Sequence, residues 1–325
     1  MPTPRSREDF LNLLDDLKSD GANSMVMQSK CDRVRFHCNQ CERKWIPDDI
    51  LLNKSILLQG HFDLRNELKT LQELRMIGKE VRLELSASEV EWVEQCTRDQ
   101  FKSDLWNWVR IGRITASILK SVVNASNEFP PPKRCTLRSI CHPYGINFET
   151  PATLYGRRNE PFARQHLIKL WAADHQNGVV SECGIFLNCE YPYMAATPDA
   201  IGSCTCCGKF AVEIKCPFRL DSKSNLDKQL SISDLAGKPN SFLRFHGEQI
   251  ELNPDHEYFY QVQAQIFLTN ADFGLFVVWS KRECVILKIQ KHFELWNRCV
   301  ERSHLYFKKI IMPELLGNFY TKDNQ

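Results

Sequence analysis

The sequence predicts an α/β fold, a central mixed β-sheet flanked by helices, preceded by an N-terminal, mostly helical accessory region. Three observations carry this. Stretches with helical periodicity alternate with short β-branched runs in the order α-α-β-β-β-α-β-β-α. Two of those runs, "YMAATPDAIG" and "KFAVEIKC", are separated only by "SCTCCG" and read as a hairpin. A chain of 325 residues, 43% hydrophobic, 25% charged and 10% aromatic, suits one sizeable soluble core plus an appendage.

Along the chain, residues 1–85 form the expected accessory region. It holds "CDRVRFHCNQCERKW", with Cys31, His37, Cys38 and Cys41, then "FDLRNELKTLQELRMIGKEV", with helical spacing and charge pairing. The main domain is set at 86–317, with 318–325 as a tail. "LSASEVEWVEQCTRDQ" opens it with a capping signal, Ser86 or Ser88 ahead of glutamates and an apolar stripe. "WVRIGRITASILKSVVN" predicts a helix from about Thr115, and "NEFPPPKRCTLRSICHPYG" reads as a loop. "TPATLYGRRNEPFARQHLIKLWAADH" predicts a long amphipathic helix. The strand "VVSECGIFLN", the hairpin and a polar loop (219–254) follow. "DHEYFYQVQAQIFLTN" predicts a helix, "FGLFVVWS" and "CVILKIQ" two strands, and "HFELWNRCVERSHLYFKKIIMPELL" a closing helix.

A net charge of +2 excludes a blanket basic coat. No apolar run approaches the roughly 18 residues of a membrane span. The start, "MPTPRSREDFLNLLDDLKSD", is charged and lacks a signal-peptide core. The expectation is an intracellular protein of cytoplasm or nucleus, neither secreted nor membrane-bound. Its 14 cysteines are then free thiols or metal ligands rather than disulfides.

The informative stretch is "AVEIKCP". Alternation along a strand puts Glu213 and Lys215 on one face and Val212 and Ile214 on the other. A structural strand gains nothing from two buried charges. Asp199, at the end of the strand "AATPDA" and separated from Glu213 by thirteen residues, is brought alongside by the hairpin. Two carboxylates at one spot make a hard-oxygen site suited to Mg²⁺. A lysine beside them can orient and help deprotonate a water and offset charge on a phosphorane. The chemistry is metal-assisted phosphodiester hydrolysis.

"RIGRITAS", "YGRRNEPFARQ", "AATPDAIG", "EIKCPF" and "YFYQVQAQIFLT" resemble, in order, the motifs of the YqaJ viral-recombinase family, the group containing bacteriophage lambda exonuclease. The resemblance covers about residues 98–315 and implies a PD-(D/E)XK, restriction-endonuclease-like core. It implies Asp199, Glu213 and Glu160 as metal ligands for Mg²⁺, with Mn²⁺ substituting. Lys215 would be the catalytic lysine, and Gln261 would face it from the next helix. Helical spacing puts Gln265 on the face of Gln261 and Gln263 nearly opposite, outside the site. Arg110 and Ser117 fit the phosphate-contacting positions, and Arg113 is the alternative to Arg110.

The implied activity is exonucleolytic resection of duplex DNA from 5′ ends in viral or mobile-element recombination. A structure-specific endonuclease on the same core and a non-catalytic DNA-binding scaffold are the alternatives. The family also implies a ring trimer and a single-strand annealing recombinase as partner. Seven Lys/Arg against three Asp/Glu in 98–134, interleaved with Phe101, Trp106 and Trp108, suit sequence-independent contact with a DNA backbone. Two cysteine sets bear on zinc: Cys31, Cys38 and Cys41 with His37, and Cys204, Cys206 and Cys207 with Cys183 and Cys189 nearby. Neither has a clear second pair of ligands, so zinc is the less favoured cofactor.

Overall fold

The computed structural model describes residues 50, 52–126, 132–143, 149–221 and 230–322. Helices α1 (Leu71–Glu80) and α2 (Ala87–Cys96) each start with a capping box, Thr70 with Glu73 and Ser86 with Glu89, which satisfies backbone donors at both ends of the box. Helix α3 (Asp104–Arg110) leads to strand β1 (Ile114–Thr115) and helix α4 (Leu119–Val123). After α5 (Arg134–Cys141) comes the 24-residue helix α6 (Pro151–Asp174), with Pro151 in its first turn, where a missing N–H costs nothing.

Strands β2 (Val179–Ser181), β3 (Phe186–Leu187), β4 (Met194–Ala196), β5 (Ala200–Cys204) and β6 (Gly208–Lys215) follow, then the hairpin β7 (Leu243–His246) and β8 (Gln249–Leu252). Helix α7 (Glu257–Leu268), strands β9 (Phe273–Trp279) and β10 (Cys284–Ile289), and helices α8 (Phe293–Tyr306) and α9 (Met312–Gly317) complete the chain. The main sheet has the order β10-β9-β6-β5-β2. Strands β6 and β9 run parallel and their neighbours antiparallel, so the sheet is mixed.

Alternation on β6 organises the layers. Phe210, Val212 and Ile214 pack with Ala163, Leu167 and Trp171 of α6. Ala211, from the opposite face, packs with Val262 and Ile266 of α7. Period-two strands thus bury apolar residues against a helix on each side, and Glu213 falls on the α7 side. The described part of 1–85 packs into a further apolar cluster: Leu58 and Leu74 are fully buried in it with Ile310, Met312 and Leu315. Lys308 also donates to the carbonyls of Gly78 and Val81. Among the described residues no helix is long and apolar enough to cross a membrane.

Four segments differ from the sequence expectation, each for a local reason. "YMAATPDAIG" is two strands: β4 pairs with β1 and β3 in a separate sheet, and the chain enters the main sheet only at Ala200. Pro198 cannot donate to a ladder, so the break falls there, and Asp199 directly precedes a strand rather than ending one. "VVSECGIFLN" also breaks in two: Gly184 N–H donates to Glu94 and Ile185 N–H to Thr97 at the end of α2. The Pro-rich stretch ends in helix α5, whose Leu137, Ile140 and Cys141 are buried. The polar loop contains β7–β8, held by buried Leu243 and Leu252.

Candidate active site

The last turn of β6 carries the charged pair into a cavity of about 380 Å³. Glu160, Asp199, Glu213 and Lys215 line it, with Phe242 and Tyr258 across from them. Asp199 reaches the spot because its N–H donates to Val212 O (2.9 Å), which continues the β5–β6 ladder by one residue. Its Oδ2 accepts from the Ile214 N–H at 2.6 Å. Glu160 projects from α6, where the next residue, Pro161, leaves the Arg157 carbonyl without its usual helical donor.

Glu213 is 3% exposed, and its carboxylate is nearly saturated. Oε1 accepts from the Lys215 ammonium and from Gln261 Nε2 at 2.7 Å. Oε2 accepts from Gln265 Nε2 at 2.5 Å. Gln261 and Gln265 stand one turn apart on α7, so both reach the same carboxylate. Gln263 lies on another face, donating to Gln290 O and accepting from His292 N–H. Gln265 was the residue missed as a site member, although its spacing from Gln261 already placed it there.

The electrostatics follow from crowding like charges with little water. Burial lifts the Asp199 carboxyl well above the usual carboxylate range, and the charges of Glu213 and Glu160 add to the rise. Burial also raises Glu160; Arg164 pulls it back, and Glu213 pushes it up again. For Lys215 burial opposes the charge, but Glu213 and Asp199 outweigh it and move the ammonium's pKa upward. The ammonium also sits 4.2 Å from the centre of the Tyr258 ring, a cation–π contact. Arg164 braces the centre from α6: its guanidinium donates to Asp199 O at 2.8 Å and pairs with Glu160 at 3.3 Å and Glu182 at 2.5 Å.

The phosphate-contacting candidates separate. Arg113 is fully buried, and its guanidinium donates to the carbonyls of Ser55, Ile56, Val109 and Pro192. This corrects the reading of Arg113 as an alternative phosphate clamp, because its donors are used in tying Ser55, Ile56, Val109 and Pro192 together beside β1. Arg110 is half-buried with its guanidinium 4.0 Å from the centre of the Trp106 ring. Among the described residues it has no carboxylate partner, and burial pulls its pKa down to about 10. Trp106 in turn donates to Thr197 Oγ1 at 3.2 Å, two residues before Asp199. Ser117 is exposed, with its hydroxyl 3.3 Å from that of Thr115. Neither Arg110 nor Ser117 lines the cavity itself.

A second cavity of about 560 Å³ shares Glu160 with the first. Its lining includes Arg98, Lys102, Arg157 and Arg164, and also Asp99 and Glu182. Phe101 is 51% exposed there, with the Arg157 guanidinium 5.0 Å from its ring centre. Trp108, by contrast, is buried in the core, so it offers no face to a base. Of the cysteine sets, Cys31, Cys38 and Cys41 with His37 lie outside the described residues. Cys204, Cys206 and Cys207 gather at the hairpin tip with His175, while Cys183 and Cys189 are not part of that group.

Comparison with known proteins adds the family. The YqaJ-like viral recombinase domain matches residues 105–272. The alkaline nuclease of Autographa californica nuclear polyhedrosis virus is 25% identical over 234 residues, 66% of this chain and 50% of that protein. The alkaline nuclease of Orgyia pseudotsugata multicapsid polyhedrosis virus is 29% identical over 227 residues, 64% of this chain and 47% of that one. The chain therefore matches about half the length of these relatives. Among solved structures, the alkaline exonuclease from Laribacter hongkongensis is similar with a TM-score of 0.44 and 20% identity, over 63% of this chain and 91% of that one. A match over more than half of its length places this chain in the YqaJ-like viral recombinase domain family.

Proposed function

We propose that this protein is a divalent-metal-dependent deoxyribonuclease that degrades linear duplex DNA from its 5′ ends. The observation that carries the reading is the convergence of Asp199, Glu213 and Glu160 with Lys215 on one cavity. The donor set fits a hard cation: three carboxylates crowd together beside one ammonium, and burial, then Glu213 and Glu160, raises the Asp199 carboxyl above the usual range. Asp199, Glu213 and Glu160 would hold Mg²⁺, or Mn²⁺ in its place. When bound, the ion would supply Lewis-acid polarisation of the phosphate and an activated water.

The chain's own groups do the rest. Gln261 and Gln265 fix the Glu213 carboxylate in one orientation, and Arg164 fixes the backbone at Asp199. Lys215, kept as an ammonium, stabilises the charge that builds on the phosphate oxygens; its raised pKa suits that part better than the proton-accepting one. Arg110, a cation on an indole face without a carboxylate partner among the described residues, suits a terminal phosphate near the approach to Asp199. The neighbouring groove with Arg98, Lys102, Arg157 and exposed Phe101 offers a path for the DNA backbone without base reading.

The test is digestion of linear and covalently closed circular duplex with Mg²⁺ or with EDTA. The expected result is Mg²⁺-dependent loss of the linear DNA alone, faster on 5′-phosphorylated ends. Cutting of closed circles would replace this reading by the endonuclease, and salt-sensitive binding without cleavage by the scaffold.

A further inference from the structure

The end of the hairpin farthest from Asp199 and Lys215 holds a second cluster with different chemistry. Cys204 closes β5, Cys206 and Cys207 lie in the turn, and His175 follows directly on α6. One ligand atom from each residue, Nδ1 of the histidine and three Sγ atoms, lies within 4.8 Å of all the others. His175 Nδ1 is 3.5 Å from Cys204 Sγ, 3.3 Å from Cys206 Sγ and 3.6 Å from Cys207 Sγ. Cys206 Sγ is 3.5 Å from Cys204 Sγ and 3.9 Å from Cys207 Sγ.

Those separations have a recognisable size. With Zn–S of about 2.3 Å and Zn–N of about 2.0–2.1 Å, a tetrahedral site has S···S edges of about 3.8 Å and N···S edges of about 3.5 Å. A disulfide demands an S–S separation of about 2.05 Å, and all three cysteines are free thiols. The gathering is therefore sized for an ion among the ligands rather than for a bond between them.

We propose that His175, Cys204, Cys206 and Cys207 form a Cys₃His site for Zn²⁺ that clips the end of α6 to the tip of the β5–β6 hairpin.

The surroundings hold each ligand in place. The His175 ring stacks on Trp171 at 3.7 Å between centroids and 10° between planes, and Trp171 packs against Phe210 of β6. Thr205 N–H donates to Gln176 O, and Asn177 Nδ2 to Thr205 Oγ1, so the two loops are joined by backbone as well. The hairpin can turn sharply after Cys207 because Gly208 takes φ +87°, with the Asp272 carboxylate where a Cβ would stand. Four protein ligands leave no open position, which makes the site structural rather than catalytic. It lies about 22 Å along the helix from Glu160, at 1.5 Å per residue. The clip thus sits at the far end of the hairpin from the active site and at the end of the helix, α6, that carries Glu160 in its middle.

The test compares the purified full chain with the Cys206→Ser/Cys207→Ser double variant and with His175→Cys, all prepared under reducing conditions with added zinc. Metal content is read by mass spectrometry, and coordination by replacing zinc with Co²⁺ and recording the visible spectrum. The expected result is one zinc per chain more in the wild type than in the double variant; metal held elsewhere cancels in the difference. Wild type and His175→Cys should both show the intense d–d bands of a tetrahedral thiolate site. A strong zinc chelator should lower the melting temperature of the wild type but not of the double variant. Equal zinc in wild type and double variant would overturn the proposal. So would an octahedral cobalt spectrum, or loss of the metal in His175→Cys while that protein remains folded.

Discussion

The two ends of the β5–β6 hairpin carry opposite kinds of ligand. One end gathers carboxylates and an ammonium around an open cavity of about 380 Å³. The other gathers three thiols and an imidazole within 4.8 Å of one another. Oxygen donors with room for water and phosphate suit a hard cation and turnover, whereas sulfur and nitrogen donors that close on themselves suit zinc and rigidity. The same helix, α6, serves both, with Glu160 near its middle and His175 just past its C-terminal end. Position on a shared scaffold therefore says little about role; donor type and openness say most of it.

The comparison breaks hardest at Lys215. Lys215→Ala should lower Mg²⁺-dependent cleavage by roughly 10³-fold, the size of effect expected when a charge stabiliser is removed. Zinc content should stay unchanged, and retained cleavage would mean that the two ends had been assigned wrongly.

Next comes the residue between the ends. Phe210 is fully buried, stacks on Phe273, packs tilted against Trp171, and fills the space over Gly202, where a Cβ would meet its ring at 2.2 Å. Phe210→Ala should cost about 3–5 kcal/mol in denaturant unfolding. It should loosen zinc as well, because the Trp171 platform under His175 loses its support.

A finer contrast lies in the glutamines. Gln265→Leu leaves one Glu213 oxygen without its donor, so the Mg²⁺ concentration for half-maximal cleavage should rise by about 10–100-fold, as for other groups that orient metal ligands. Gln263→Leu should leave that concentration unchanged, since Gln263 serves Gln290 and His292 instead. The smallest effect belongs to Arg110. Arg110→Ala should weaken binding of 5′-phosphorylated ends more than of 5′-hydroxyl ends, by about 10-fold, in a filter-binding comparison.

Local chemistry was the legible part of the sequence. Alternation in "AVEIKCP" assigned Glu213 and Lys215 to one face, and helical spacing separated Gln263 from Gln261, because both periods act over a few residues. The order of helices and strands was readable for the same reason. What stayed hidden depended on distant partners. His175 lies 29 residues before Cys204, and no spacing rule joins a helix end to a hairpin tip. Arg113 looked like any basic residue until four carbonyls from separate segments enclosed it. Helix α5 was masked by the three prolines that precede it, although Leu137, Ile140 and Cys141 have helical spacing and are buried.

The most direct test of the carboxylate end is a Mn²⁺ titration followed by electron paramagnetic resonance, on the wild type and on Asp199→Asn. The wild type should remove the free-ion signal saturably and in competition with Mg²⁺, and Asp199→Asn should lose most of that binding together with its cleavage of linear DNA. An Asp199→Asn protein that still binds Mn²⁺ as tightly and still cleaves would contradict the account, because the reaction would then belong to some other part of the molecule.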